Sequence, residues 1–342
     1  MDVQQEKVSV MSISTEPPAF SAAPYLREIG RGRKGARGLN RAQAAELMGA
    51  ILSGRVPEVA LGGVLLALRM KGEDIEEIEG FLDALEGALQ RAPARAPAWV
   101  VLPSYNGARS MPNLVPLLAM LLARSGVPVL IHGQESEPAT VTRRRVTSAQ
   151  IFALLGVPAC AGMAAAGQMA DRGLPAVVEL SACAPALSRL VALRPVMGVR
   201  NVGHTLAKLI CPVRGPRLLI ASYTHPDFGR LQSELFRRTG MHAMSLRGTD
   251  GESVISARRA QPIEYWHDGV CQTVVTGEAV AAADAALPPT DAQSTASWTR
   301  EVLEGRHAVP PAIAEMATAV AAAARACAAS AAAGKASVSQ ED

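Results

Sequence analysis

The run Val127–Gly133, VPVLIHG, is short, apolar and ended by glycine. At that length it predicts a buried strand rather than a helix. The flanking sequence repeats the pattern. WVVLP (99–103) is an earlier strand, with a helix predicted between the two at Leu114–Ser125. A helix over Ser148–Leu155 follows, closed by Gly156. PAVVEL (175–180), RLLIAS (217–222) and HAMSLRG (242–248) read as three more strands, and Pro226–Thr239 as a helix. Strand–helix alternation of this kind predicts an α/β domain.

Upstream, the chain reads as helical. Asn40 is placed to cap a helix over Arg41–Leu52. Pro57 opens VPEVALGGVLLALRMKG and Gly72 ends it. In EDIEEIEGFLDALEGALQ, the residues Ile75, Ile78, Phe81, Leu82, Leu85 and Leu89 fall at helical spacing. RAPARAPA (91–98) is a linker. The fold class expected is therefore α/β, with an N-terminal all-helical domain (21–93) and a larger α/β domain (98–333). Helices from about 184–210 are expected to join the helical domain. After Asp250 come short strands, including IEYWHDG, then an Ala-rich helical tail from about Gly277 to Ala333. Residues 1–20 are expected to be a disordered leader and 334–342 a frayed tail.

A chain of 342 residues with 49% hydrophobic and 19% charged residues suits a large-cored soluble protein of about two structural units. The net charge is only +3, so composition alone does not imply a nucleic-acid partner; the placement of the cations must decide. The cysteines Cys160, Cys183, Cys211, Cys271 and Cys327 are scattered singly, without a zinc-site spacing. No run reads as a membrane span and the start does not read as a signal peptide, so a cytoplasmic protein is expected.

The cations concentrate in RPVMGVRNVGHTLAKLICP, Arg194–Pro212. Over a helix from Arg200 to Leu209, the residues Arg200, His204 and Lys208 share one face. No acidic residue lies between Glu179 and Asp227, an interval that also holds Arg189, Arg194, Arg214 and Arg217. Such a stripe is suited to a sugar phosphate or a nucleic-acid backbone. A solvated helix face is the plainer alternative. A second basic stretch, 27–41, carries Arg27, Arg31, Arg33, Lys34, Arg37 and Arg41 against Glu28. Its formal G-x-G-x-x-G lacks the preceding strand and the following acid of a dinucleotide site. Arg143, Arg144 and Arg145 form a third cluster, for which a solvated loop is an equal reading.

These segments resemble a known family. LGGVLLALRMKGEDIEEIEGF (61–81) is similar to the N-terminal helical domain of anthranilate phosphoribosyltransferases and pyrimidine nucleoside phosphorylases. GVPVLIHG and the helix ending LLGV resemble the surroundings of their phosphoribosyl pyrophosphate (PRPP) loop. MGVRNVGHTLAKLICP resembles the segment whose Arg contacts anthranilate, which corresponds to Arg200. LRGTDGESVIS resembles their late HGxDGxDE segment. Within the family, EIGRG, LGGVLLALRMKGE, PSYNGAR, MGVRN-x-x-HTLAKL and GTDGE are similar to the YbiB-type DNA-binding branch. That resemblance implies a homodimer paired through the helical domain, near Leu61–Leu68 and Phe81–Leu89. It also implies binding of DNA and RNA with little sequence preference and without anthranilate phosphoribosyltransferase activity.

Against the enzymes' pattern, three parts of the PRPP site are altered. Their Gly-Thr-Gly-Gly-Asp loop, whose amides meet pyrophosphate, reads Pro103-Ser104-Tyr105-Asn106-Gly107 here. Their Lys-His-Gly-Asn reads Ile131-His132-Gly133-Gln134. Their metal-binding Asp-Glu pair falls on Ser253 and Val254, with Asp250 and Glu252 close enough that a shifted register could save one ligand. Tyr105 could stack on a base or pack under the loop. His132 and His225 read as structural histidines. The expected function is sequence-nonspecific nucleic-acid binding by a catalytically degenerate homologue, on DNA and possibly RNA, with no cofactor, no resident metal and no membrane. The expected contacts are Arg194, Arg200, Asn201, His204, Lys208, Arg31, Arg33, Lys34, Arg37, Arg143, Arg144 and Arg145. The alternative is a glycosyl or phosphoribosyl transferase for an unknown acceptor.

Overall fold

The computed structural model describes residues 20–32, 34–95, 97–133, 145–259, 261–277 and 287–338. The expected leader therefore lies outside the described residues, apart from Phe20. Four helices come first: α1 (Ala23–Ile29), α2 (Arg41–Leu52), α3 (Glu58–Lys71) and α4 (Ile75–Glu86). Asn40 with Gln43, and Asp74 with Glu77, close reciprocal capping boxes at the starts of α2 and α4. Glu77 is buried, and its carboxylate accepts from the Leu39 amide (3.0 Å), the Asp74 amide (3.0 Å) and Lys71 Nζ (2.7 Å). Glycine in the middle of α4 lets α2 come close: a Cβ on Gly80 would lie 2.2 Å from the Arg41 carbonyl oxygen and 2.8 Å from Ala44 Cβ.

The larger unit is a seven-stranded sheet in the order β3-β2-β1-β4-β5-β6-β7. The strands are β1 (Trp99–Ser104), β2 (Val129–Gly133), β3 (Ala176–Glu179), β4 (Arg217–Tyr223), β5 (Ala243–Arg247), β6 (Ile263–His267) and β7 (Val270–Val275). The first five run parallel and the last two antiparallel. The helices around them are α5 (Val115–Arg124), α6 (Ser148–Leu154), α7 (Met163–Asp171), α8 (Leu180–Cys183), α9 (Pro185–Ala192), α10 (Arg194–Met197), α11 (Val202–Leu206), α12 (Pro226–Thr239), α13 (Ala292–Leu303) and α14 (Pro311–Val338). Alternate strand residues feed two cores. Val101, Leu130, Leu219 and Ala243 join Leu65, Phe81, Leu187 and Leu206, so α8–α11 share a core with the N-terminal helices. Val100, Leu102, Ile220 and Met244 join Leu117, Phe152, Trp298 and Ile313 on the opposite face.

Three expectations are corrected. The helix expected over Arg200–Leu209 is confined to Val202–Leu206. The Asn201 side chain accepts from the Gly203 amide at 2.9 Å and caps the helix, which leaves Arg200 outside. At the other end Lys208 and Leu209 make i→i−3 bonds to Thr205 and Leu206, a tightened last turn. The second correction is the fray from 334: α14 runs on to Val338, the helix of the preceding alanine run propagating one bond per residue through Gly334–Val338. Third, Pro311–Ala333 is long and apolar enough by length and composition to cross a membrane, contrary to expectation. Alanine supplies most of that hydropathy, while Ile313, Met316, Val320 and Ala324 are buried at helical spacing in the sheet's second core. The helix α7 has no counterpart among the sequence-based expectations.

Gly80→Ala tests the helix crossing. Alanine gains about 1 kcal/mol of helix propensity, but overpacking costs about 1–3 kcal/mol, and here the clash is with backbone. We expect a lower urea midpoint with an unchanged slope. A raised midpoint would refute the close α2–α4 contact.

Candidate phosphate-binding cleft

In an open parallel sheet, ligands bind beyond the carboxyl ends of the strands where the connection reverses direction. Here the chain moves outward from β1 to β2 to β3, then returns to β4 on the other side of β1. The loop after β1 (Tyr105–Ser110) and the loop after β5 (Gly248–Val254) meet at that point.

The two loops are pinned by carboxylates. Glu252 is 1% exposed. One of its oxygens accepts from the amides of Asn106 (2.8 Å) and Gly107 (2.7 Å), and the other accepts from the Ser104 hydroxyl. Asp250 accepts from the amides of Arg109 and Ser110, each at 3.0 Å, and from the Ser110 hydroxyl at 2.8 Å. Burial alone would raise the Asp250 carboxyl, but those amide bonds outweigh it and hold it below its usual range. Asp250 takes a left-handed φ of 52°, and Gly251 follows at 83°, where a Cβ would strike Nδ2 of the Asn106 side chain. Four amides of the β1 loop are thus directed at the chain's own carboxylates. Among the described residues, Ser104, Gly133, Thr147 and Ser148 border a cavity of about 70 Å³, whereas small-molecule pockets usually enclose about 300–1,000 Å³.

Around this filled loop stand cations. Arg200 Nη2 donates to Asn106 Oδ1 at 2.8 Å. Arg145 Nη1 donates to the carbonyls of Asn106 (3.3 Å) and Gly107 (3.0 Å). Burial pulls Arg145 below its ordinary value, and the neighbouring Arg109 and Arg194 add to that. Lys208 Nζ donates to the Gly251 carbonyl at 2.9 Å, and burial pulls it down to about 8. A cleft of about 680 Å³ opens beside them, lined by Arg69, Glu73, Asp74, Arg200, Asn201, His204, Lys208, Tyr223, His225, Asp227 and Arg230 among others. Its acids are engaged: Asp74 caps α4 and lies 3.5 Å from Lys71, Asp227 pairs with Arg230, and burial raises Glu73.

The structure therefore brings Arg200, Asn201, His204 and Lys208 into one cleft, although not through one helix face. Asn201 is buried as a cap, and Lys208 is a partly buried brace rather than a projecting head. Arg194 lies near enough to depress both Arg145 and His204. Arg31, Lys34 and Arg37 lie beyond α1, outside the lining of this cleft, and Arg31 pairs with Glu28. Arg33, Arg143 and Arg144 lie outside the described residues. Tyr105 shares a 2.5 Å hydrogen bond with Nδ1 of the buried His132 and packs on the core, so the packing alternative holds. Gly133 sits so close to β1 that a Cβ would meet the Ser104 carbonyl at 2.2 Å. Sequence reading misses Arg69, Arg109 and Arg230, which come from three separate segments and share no spacing with Arg200.

The fold has counterparts. Anthranilate phosphoribosyltransferase (TrpD) from Thermus thermophilus superposes with a TM-score of 0.65 at 22% identity, over 86% of this chain and 87% of that one. The Saccharomyces cerevisiae enzyme in complex with PRPP and Mg gives 0.62 at 12% identity, over 87% and 86%. At those identities the likeness shows the fold. A model described as the glycosyl transferase family, helical bundle domain, matches residues 23–86. The uncharacterized protein YbiB of Escherichia coli is 36% identical over 292 residues, covering 84% of this chain and 89% of YbiB. The anthranilate phosphoribosyltransferase of Beijerinckia indica is 26% identical over 304 residues, covering 87% and 86%. The chain belongs to this glycosyl transferase family together with YbiB.

Burial pulls His204 down to about 4, with Arg200 and Arg194 adding to the effect, and burial pulls His132 down to about 3; both start from 6.5. Between about pH 4 and 6.5 the unfolded chain holds protons that the folded chain refuses, so stability falls on acidification through that window. His204→Gln should therefore shrink the loss of stability between about pH 7 and pH 5, read from urea midpoints. An unaltered pH dependence would count against the burial of His204.

Proposed function

We propose that this protein binds nucleic acid through phosphate contacts in the cleft between α3, α11 and α12, and that it is not an active anthranilate phosphoribosyltransferase. One observation carries the reading. The amides of the β1 loop are spent on Glu252 and Asp250, while Arg109, Arg145, Arg194 and Arg200 gather around them and Arg69 lines the cleft near His204. A pyrophosphate would have to displace two carboxylates. A polymeric phosphate backbone needs no amide cradle; it needs dispersed guanidinium groups. DNA is the first partner to test and RNA the second. The alternative, a transferase acting on an unknown acceptor, is favoured by the names of the anthranilate phosphoribosyltransferase relatives.

The same reading makes the protein a homodimer. Leu26, Ile29, Gly63, Leu66, Ala67 and Met70 line an apolar groove of about 790 Å³ on α1 and α3. Leu66 is 48% exposed and Met70 75% exposed. The second segment expected at the interface, Phe81–Leu89, points inward: Phe81, Leu85 and Leu89 are core residues. The proposed contact is therefore α1 and α3. Leu66→Glu with Met70→Glu should convert a dimer to a monomer in light scattering at micromolar concentration. A wild-type monomer under those conditions rejects the dimer.

Because Lys208 is a brace, the charge test uses Arg69→Glu with Arg200→Glu. Each phosphate contact contributes roughly −0.7 to −0.9 to the slope of log affinity against log salt. The double variant should bind oligonucleotides of unrelated sequence at least tenfold more weakly at about 0.1 M salt, with a shallower slope. A folded variant with unchanged affinity and slope sinks the cleft assignment. Mg²⁺-dependent binding of PRPP in calorimetry would instead support the transferase.

A further inference from the structure

We infer that a second groove, on the sheet side of α12, holds one nucleotide of a single-stranded nucleic acid, with the base against Trp266 and the phosphate at Arg247; this rests on the nucleic-acid reading above. The groove encloses about 490 Å³. It adjoins the cationic cleft, since Tyr223, Thr224 and Arg230 line both. A strand leaving the cleft at the start of α12 would enter it directly.

Strand periodicity assembles the groove. Side chains two apart share a sheet face, so Ser245 and Arg247 of β5 lie on the α12 side with Ala243, whose side chain joins that core. Register places Glu264 opposite Ser245 and Trp266 opposite Ala243. Tyr223, at the end of β4, completes the row, and its ring lies 3.2 Å from where a Cβ on Gly229 would be. Glycine there leaves the ring room against α12.

Three features fit a nucleotide. Trp266 is partly buried, packed against the core on one side and lining the groove on the other, whereas Trp99 and Trp298 are 0% and 7% exposed. Its Nε1 donates to Glu264 at 3.3 Å, which fixes the indole. An accessible, fixed indole is a stacking platform for a base of any sequence. Ser245 is 3% exposed, and its hydroxyl has no hydrogen-bond partner among the described residues. Buried hydroxyls are rarely left unpaired, and a base edge carries the donors and acceptors that would pair this one. Among the lining arginines, Arg230 pairs with Asp227 and Arg237 with Glu234. Arg247 is exposed, with no ion pair to any described residue, and is the guanidinium left for a phosphate.

The test uses the full chain and its intrinsic fluorescence. The probes are an oligo-dT of about twelve nucleotides, dTMP, and a duplex of the same length. Oligo-dT should quench the emission saturably, the duplex should not, and dTMP should need at least a hundredfold higher concentration. Trp266→Phe should abolish the quench while oligo-dT retardation stays within about threefold, since phenylalanine still stacks. Trp266→Ala should weaken oligo-dT binding roughly tenfold or more, as loss of one stacked base implies, and leave duplex binding unchanged. Arg247→Ala should weaken oligo-dT binding and lower its salt slope. If oligo-dT binds but the quench persists in Trp266→Phe, or Trp266→Ala binds as tightly as the wild type, the nucleotide groove is wrong and the cleft reading survives. Equal affinity for dTMP and oligo-dT would replace the strand with a free nucleotide and overturn the proposal. Failure of the wild type to bind any nucleic acid removes both readings. Should Trp266→Ala fold poorly, the Trp266→Phe quench decides alone.

Discussion

The seat of Glu252 is the constraint on which the rest of the site depends. A carboxylate with 1% exposure is costly to bury unless its oxygens are met by donors. Two amides of the β1 loop and the hydroxyl of Ser104, the last residue of β1, meet them across 145 to 148 residues of sequence. Once these bonds form, the path of the loop is set. Its outward-facing carbonyls, on Asn106 and Gly107, then accept from Arg145, and the Asn106 side chain accepts from Arg200. The carbonyl of Gly251, next to the buried carboxylate, accepts from Lys208 and from the Ser222 hydroxyl. The cations are thus anchored to a loop that is itself anchored to an anion, and the carboxylates offset part of the repulsion among them.

The architecture is legible in the sequence because buried parallel strands leave continuous apolar runs and caps leave polar residues at fixed offsets. The five parallel strands and the helix opened by Asn40 depend on neighbours within a few residues. The site is legible only in part. Arg200, His204 and Lys208 do converge, yet the spacing argument that groups them assumes a helix that Asn201 cuts short. The 27–41 arm lies outside the lining of this cleft, and a run of basic residues says nothing about which cavity it borders. Most hidden is the role of Glu252 and Asp250. By sequence they stand beside a lost metal pair, of which a shifted register could save one ligand, but most of their partners are backbone amides, which have no residue-type signature.

That exchange of partners changes what the scaffold can recognise. An amide cradle has a fixed shape and accepts one anion of matching size, so its selectivity is steric. Guanidinium groups on several segments make no such demand. Arg69 comes from α3, Arg109 and Arg145 flank the filled loop, Arg194 lies on α10 and Arg200 precedes α11. On the proposed reading they would offer several phosphate positions rather than one. The opposite rim carries Glu73 and Asp74, and Asp74 is held by its cap. On that reading, a chain of phosphates would pass between Arg69 and the α10–α11 cations and be kept off Glu73 and Asp74. On the proposed reading, that asymmetry gives the polymer a direction of travel without any contact that reads its sequence. The cleft's exit beside Tyr223 and Arg230 then decides whether a strand leaves into solvent or continues along α12, where an accessible indole and an unpaired buried hydroxyl lie in its path.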